Sequence, residues 1–313
     1  MKRTDLILLS TLTLALLSPA QALVDYTETT PSQPRVKRNS PAPARRIAPK
    51  VNTSTQAQSS SSNGASLGLF NIQSMYHSMK VEGESGQSDI QKMKLHALFQ
   101  THYNLFVDAD YDFYQSSDEE IGTSGDWQAG RGKALLGFNW LQFGSVADLA
   151  TIDLIGGIRS SSSSDLASSR LDKIVGVETT KRFYQFAVGF GYELWLTGTP
   201  DSEEEMKIGN VSLLKASLGW VVSRDIRFSL EGATVSISKA SDSDEGLKLD
   251  EDIKYSYVSP MLSLGLSPFV NVNMGATFRT RRAKDVQRLV PAKLWELPGL
   301  YGNTLFAGIE FSI

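Results

Sequence analysis

Every second side chain of residues 183–197 is apolar and nearly all of them are large. Tyr184, Phe186, Val188, Phe190, Tyr192, Leu194 and Leu196 share one parity, and in a β-strand a shared parity is a shared face. Gln185, Ala187, Gly189, Gly191, Glu193 and Trp195 occupy the other parity. A sheet in water has no use for that many bulky apolar groups on one face with glycines behind them. A wall with hydrocarbon outside and water inside does.

The same period recurs along the chain. It predicts strands over 67–80, 132–141, 147–159, 171–178, 183–197, 208–222, 226–238, 253–266, 269–280 and 301–313. One parity run over 93–113 is too long for a membrane strand of about 9 to 11 residues, so it is split near 101–104 into a hairpin. The connections alternate. Those at 143–146, 179–182, 223–225 and 267–268 are short, whereas 115–131, 160–170, 198–207, 239–252 and 281–299 are long and 81–89 is polar. Short turns at one end and long loops at the other describe an antiparallel up-and-down transmembrane β-barrel with an even strand number. The count is 12 with the split, or 10 if 93–113 is one strand and the first segment is discarded. Ten residues at about 3.3 Å each, tilted near 45°, rise roughly 23 Å, the height of a membrane barrel's apolar band. Unpaired edge groups in lipid would cost several kcal/mol each, so the sheet has to close.

The final stretch keeps the alternation to the end of the sequence. Tyr301, Leu305, Ala307, Ile309, Phe311 and Ile313 share one face, and Gly302, Thr304, Gly308, Glu310 and Ser312 share the other, with Asn303 and Phe306 out of pattern. This ending resembles the closing strand of bacterial outer-membrane β-barrels, porin-like in the broad sense, at Gly308, Phe311 and Ile313. The resemblance implies that these three residues are an assembly signal for the barrel assembly machinery. It also implies the outer membrane of a Gram-negative bacterium, with lipid and lipopolysaccharide as surroundings.

The beginning of the chain agrees. Lys2 and Arg3 precede an apolar run over 6–17, and Ala20, Gln21 and Ala22 follow as a small-x-small cleavage site, so 1–22 reads as a signal peptide. Residues 23–66 are rich in Pro and Ser and poor in groups that could form a core, and they read as a disordered periplasmic linker. Arg35, Lys37, Arg38, Arg45 and Arg46 make that linker basic; it is a solubilising tether or a contact with an anionic periplasmic polymer. The barrel takes 67–313. The chain has no cysteine, which rules out disulfides, thiolate metal sites and a lipid-modified cysteine, and its net charge of −3 argues against a nucleic-acid partner.

The inner parity carries charges of both signs, chiefly Asp153, Arg159, Glu193, Lys215, Arg227, Glu231, Arg279 and Glu310. They set the field of a permeation path, or pair across a filled lumen; pattern alone leaves both open. Asp108, Asp110 and Asp112 share one face and are read as lying near the external end of their strand, ahead of Asp118, Glu119 and Glu120, as a cation-attracting mouth. Their spacing is superficially that of a calcium loop, but Phe113 stands where that loop needs Gly, so no metal is assigned. The segments 201–205 and 242–252 extend the acidic bias. By contrast 279–299 is basic through Arg279, Arg281, Arg282, Lys284, Arg288 and Lys293, and amphipathic through Leu289, Leu294, Trp295 and Leu297. It folds over or into the mouth, meets lipopolysaccharide phosphates, or is a packed external loop. The histidines, His77, His96 and His102, show neither the Asp-x-His pair nor the His-x-Ser spacing of outer-membrane hydrolases, so no enzyme and no cofactor are expected. The chain therefore reads as a channel for passive diffusion of small hydrophilic solutes. The alternative is a non-conducting structural or surface-interaction barrel, an adhesin or envelope tether, with a filled lumen.

Overall fold

A computed structural model describes residues 70–82, 87–101, 104–117, 125–145, 148–241 and 246–312. The expected signal peptide, the expected basic linker with Arg35 to Arg46, the acids Asp118, Glu119 and Glu120, and Ile313 of the expected assembly signal lie outside the described residues. Twelve antiparallel strands form one closed barrel: β1 (Phe70–Glu82), β2 (Gln87–Gln100), β3 (Leu105–Ser116), β4 (Gln128–Phe143), β5 (Ala150–Arg159), β6 (Asp172–Phe183), β7 (Phe186–Leu196), β8 (Val211–Val221), β9 (Ile226–Ile237), β10 (Ile253–Ser267), β11 (Val270–Arg281) and β12 (Thr304–Ser312). Each strand pairs with its neighbours in sequence, and β1 closes on β12 from Asn71 opposite Ser312 to Met79 opposite Thr304. No edge remains. Of the two strand counts, 12 is the observed one.

The hairpin that splits the long parity run has its own turn chemistry. Thr101 donates to the Leu105 carbonyl through both N–H (2.8 Å) and Oγ1 (3.0 Å), and Asn104 takes the left-handed φ of 58°. Asn tolerates that conformation better than other side chains. The turn expected at 179–182 is displaced. β6 continues to Phe183, paired to Phe186, and the chain reverses at Tyr184 and Gln185 with Tyr184 at φ 53°. Staying in register lets β6 pair Lys181 with Ala150 and lets Arg182 N–H donate to the Leu149 carbonyl (2.7 Å). A turn at 179–182 would strip the start of β5 of those partners.

Outward parity is apolar along each strand, with Leu136, Trp140, Ile158, Phe190, Leu214 and Ile309 exposed. Lysines on this face sit at strand ends: Lys173 and Lys254 are each second in their strands, where the ammonium reaches the interface. Inside, glycines are matched to bulky cross-strand neighbours. The ring of Phe106 lies where a Cβ on Gly137 would be, Phe306 covers Gly275, and Met75 covers Gly308. Gly275 therefore makes room for a ring that fills the lumen rather than widening it, and Gly308, expected from the sequence as part of an assembly signal, has a packing role. Phe306 breaks the apolar-out pattern because it points inward, with its ring 5.4 Å from that of His77. Tyr301 also departs from expectation. It precedes β12 and is fully buried, its hydroxyl donating to the Leu289 carbonyl (2.7 Å) and accepting from Leu294 N–H (3.1 Å).

The outward parity predicts a position-dependent penalty. Leu136→Arg, in the middle of β4, is expected to destabilise the folded barrel by about 2 to 4 kcal/mol, while Lys173→Arg at a strand end changes stability by less than about 1 kcal/mol. Guanidinium titration of the refolded protein in liposomes measures both.

Candidate functional site

The inner faces of β2, β3 and β4 carry a ladder of charges. Directly opposed residues in this sheet are Lys94 with Asp112 and His96 with Asp110, but the ion pairs run diagonally, a reach that long side chains have. Lys92 meets Asp112 at 3.6 Å, Lys94 meets Asp110 at 3.0 Å and His96 Nε2 meets Asp108 at 3.4 Å. From β4, Lys133 bridges Asp110 (2.7 Å) and Asp108 (3.7 Å). The three aspartates are thus not a mouth. Asp108 is the fourth residue of β3, counted from its short-turn end, and all three are covered by cations. Parity alone points to a rim, because charges in a strand give no sign of what the next strand sets opposite them. Ligand atoms of His96, Asp108 and Asp110 come within 4.8 Å of one another, close enough to hold a metal ion. The Lys133 ammonium already supplies the cation there.

Several other inward charges are also partnered. Lys215 pairs with Glu193, which accepts from Trp195 Nε1 at 2.8 Å. Asp153 accepts from Asn139 (2.8 Å) and Thr151 (3.3 Å), and Tyr257 donates to Glu231 (2.8 Å). Glu310 accepts from Asn71 (2.7 Å) and Asn273 (2.9 Å). The Arg159 guanidinium lies 4.5 Å from the centre of the Trp195 ring and 3.5 Å from Glu296. Arg227 and Glu231 both line the lumen cavity. Arg279 is at the long-loop end of β11, its backbone N–H donating to Asn303 (3.0 Å).

The long loop between β11 and β12 folds into the barrel. Its short 3-10 helix, Val286–Ala292, and the turn after it bury Leu289, Ala292, Leu294, Leu297 and Leu300, while Arg281, Arg282, Lys284 and Arg288 stay exposed. Amphipathicity decides this: the apolar half turns in and the basic half stays in water. Glu296 anchors it. Its carboxylate takes Arg131 Nη1 at 2.9 Å and Arg159 Nη1 at 3.5 Å. Arg131 also donates to Asp172 (2.6 Å) and to the Arg170 carbonyl (2.8 Å), and Arg170 reaches Asp172 (3.3 Å), Glu205 (3.4 Å) and the Ala292 carbonyl (3.2 Å). Glu205, expected as part of an acidic outer loop, is instead buried, accepting from Ser168 and from Ser169 N–H (2.8 Å). Burial alone would push the Glu296 carboxyl up, and the guanidinium groups of Arg159, Arg131 and Arg170 reverse that and hold it below the usual glutamate range.

Arg131, Arg170, Asp172, Glu205 and Glu296 were not singled out as site residues in the sequence. One signal was there: Glu296 interrupts the apolar run Leu294, Trp295, Leu297, and an acid inside such a run has to find a buried cation. Below the loop one sector of the lumen stays open. A cavity of about 340 Å³ lies between Trp295, Glu296 and Pro298 above and the inner faces of β9 to β12, β1 and β2 around it.

No family model and no curated relative matches the chain. Among solved structures, the NanC porin superposes with a TM-score of 0.50 at 9% identity, covering 77% of this chain and 98% of that one. An outer membrane channel from Pseudomonas putida F1 superposes with a TM-score of 0.54 at 9% identity, covering 80% of this chain and 96% of that one. The fold is that of the outer-membrane β-barrels. At these identities the likeness is one of fold, and the loop that fills this barrel is described by its own contacts.

The Glu296 anchor predicts a graded response. Glu296→Gln leaves two buried guanidinium groups short of an acid and is expected to release the loop or to destabilise the protein by about 3 to 5 kcal/mol. A spin-label pair at Arg288 and Asp201, in a chain without native cysteine, reads the loop directly. Because the folded carboxyl titrates below its ordinary value of about 4.5, its contribution is complete above that pH and is lost only as pH falls through the lower folded value. The wild-type label distance is therefore expected to hold at pH 4.5; broadening already at pH 5 would contradict the assignment.

Proposed function

We propose that this barrel is an outer-membrane channel through which small hydrophilic solutes diffuse passively. The single observation that carries the reading is the asymmetry of the lumen. The sector between β3 and β8 is occupied by charges paired with one another, whereas the sector bounded by β9 to β12, β1 and β2 encloses a cavity of about 340 Å³ with polar groups on its wall. A barrel that served only as an anchor has no reason to keep such a space. The same reading takes residues 1–22 as the export signal, 23–66 as a periplasmic tether, and Gly308, Phe311 and Ile313 as the segment recognised during assembly. It assigns no catalytic step to the chain.

One observation favours the other reading, a non-conducting barrel. The long-loop end carries a small apolar core in which Leu289, Leu294, Leu300 and Tyr301 are fully buried, and such a seal would shut a path as well as narrow it. Planar-bilayer recordings separate the two. The wild-type protein is expected to give small, ohmic openings in KCl, and a variant with 284–298 replaced by a short Gly-Ser linker is expected to give openings several-fold larger. Silence from both proteins would remove the channel and leave the structural barrel.

A further inference from the structure

The cavity has an unequal supply of hydrogen-bonding groups. Its acids are already served: Glu231 accepts from the Tyr257 hydroxyl (2.8 Å), Glu310 accepts from Asn71 (2.7 Å) and Asn273 (2.9 Å), and Glu296 holds Arg131 (2.9 Å) and Arg159 (3.5 Å). Several of its donors keep unused capacity. The nearest acid oxygen to Lys92 Nζ, on Asp112, is 3.6 Å away, too long for a hydrogen bond. Lys94 commits one of its three N–H groups to Asp110 at 3.0 Å. Trp295 Nε1 and His77 Nε2 are both buried without a hydrogen-bond partner. Orphaned buried polar atoms are few in folded proteins and each calls for an explanation. Here these two line one cavity together with Lys92 and Lys94, and the third such atom on its wall, Asn273 Oδ1, belongs to an amide that already donates to Glu310.

These groups are close in the fold, not only in the inventory. His77 on β1 stands directly opposite Lys92 on β2 and opposite Phe306 on β12, so a cationic group, an imidazole and a phenyl ring form one row across three strands. The rest of the nearby wall is soft and apolar, made by Met75, Met79, Leu98 and Met261. Methionine side chains adapt to the shape of what they touch. Surplus donors at one side and hydrocarbon at the other select a molecule with an anionic head and a compact apolar body.

We propose that the cavity is a binding site for small monocarboxylates of that kind, the carboxylate received by Lys92, His77 and the Trp295 indole N–H and the apolar body lying against Phe306 and the methionines. The proposal rests on the channel reading for what the site is used for, since it names the solute class of that path, but not for whether the site binds.

Binding is measured first, without a membrane, by calorimetry on the full-length protein in a non-ionic detergent. The probes are benzoate and its neutral near-isostere benzamide. Benzoate is expected to bind at least about tenfold more tightly than benzamide, the margin that one charge-assisted hydrogen bond supplies. Trp295→Phe removes the indole N–H and leaves a smaller aromatic ring in its place; with thermal melting as the check on folding, it is expected to weaken benzoate several-fold and benzamide much less. Lys92→Gln is expected to do the same more strongly, and Lys92→Arg to restore binding. Equal affinity for benzoate and benzamide, no binding of either, or unchanged benzoate affinity in Lys92→Gln would each overturn the site. Bilayer recordings in KCl decide the other question by themselves: benzoate binding without openings keeps the site and removes the channel, and openings without benzoate preference keep the channel and remove the site.

Discussion

A backbone that faces hydrocarbon has no water to satisfy its N–H and C=O groups, and the rest of this structure follows from that condition. It forces β1 to find β12, a pairing that joins positions separated by more than two hundred residues along the chain. Closure in turn fixes an inside and an outside for every residue. Once those are distinct, a period of two is the sole pattern that serves both, with apolar side chains outward and whatever the lumen requires inward. The inner glycines belong to the same economy of space, since Gly137, Gly275 and Gly308 each admit a large neighbour that would otherwise have no room in a barrel of this girth.

Charge inside the barrel is arranged to cancel locally. Lys133 lies between Asp108 and Asp110, Lys215 meets Glu193, and Glu296 joins two arginines. Buried ion pairs contribute little net stability against apolar packing, because desolvation consumes most of their attraction, yet breaking one strands its partner. Their effect is on arrangement. With Arg131 held by Asp172 and Glu296 at once, the loop between β11 and β12 has one place to sit, and the neighbouring loops lock to it through Arg170 and Glu205. The consequence is a lumen divided into a filled sector and an open one, which a barrel with unspecific inner polarity would not have.

Legibility of the chain followed the range of the interactions involved. Strand existence, the hairpin at 101–104 and the faces of Phe186, Phe190, Leu214 and Ile309 depend on neighbours two residues away, and these were readable. The turn at Tyr184 was misplaced by a few residues because its position depends on β5, where the Leu149 carbonyl needed a donor. Glu205 does lie in the long loop between β7 and β8 but is buried, and Asp108, Asp110 and Asp112 face cations inside the barrel; both depart from expectation for one cause, that an acid looks solvated until the cation across from it is known. Tyr301 looked like a lipid-facing residue for the same reason, since the Leu289 carbonyl that receives its hydroxyl belongs to a loop whose fold the strand pattern does not contain.

What the amino-acid order alone determined is which side of each strand meets lipid, because that is settled within the strand by the alternation of its own side chains. What tertiary structure decided is which charges meet and what stays empty. The diagonal offset between strands matches Lys94 to Asp110 rather than to the residue facing it, and the bond from Arg131 to Glu296 spans 165 positions. Parity is a local property of a chain, whereas electrostatic pairing is a property of the space that the chain encloses, and that space exists only after the barrel has closed.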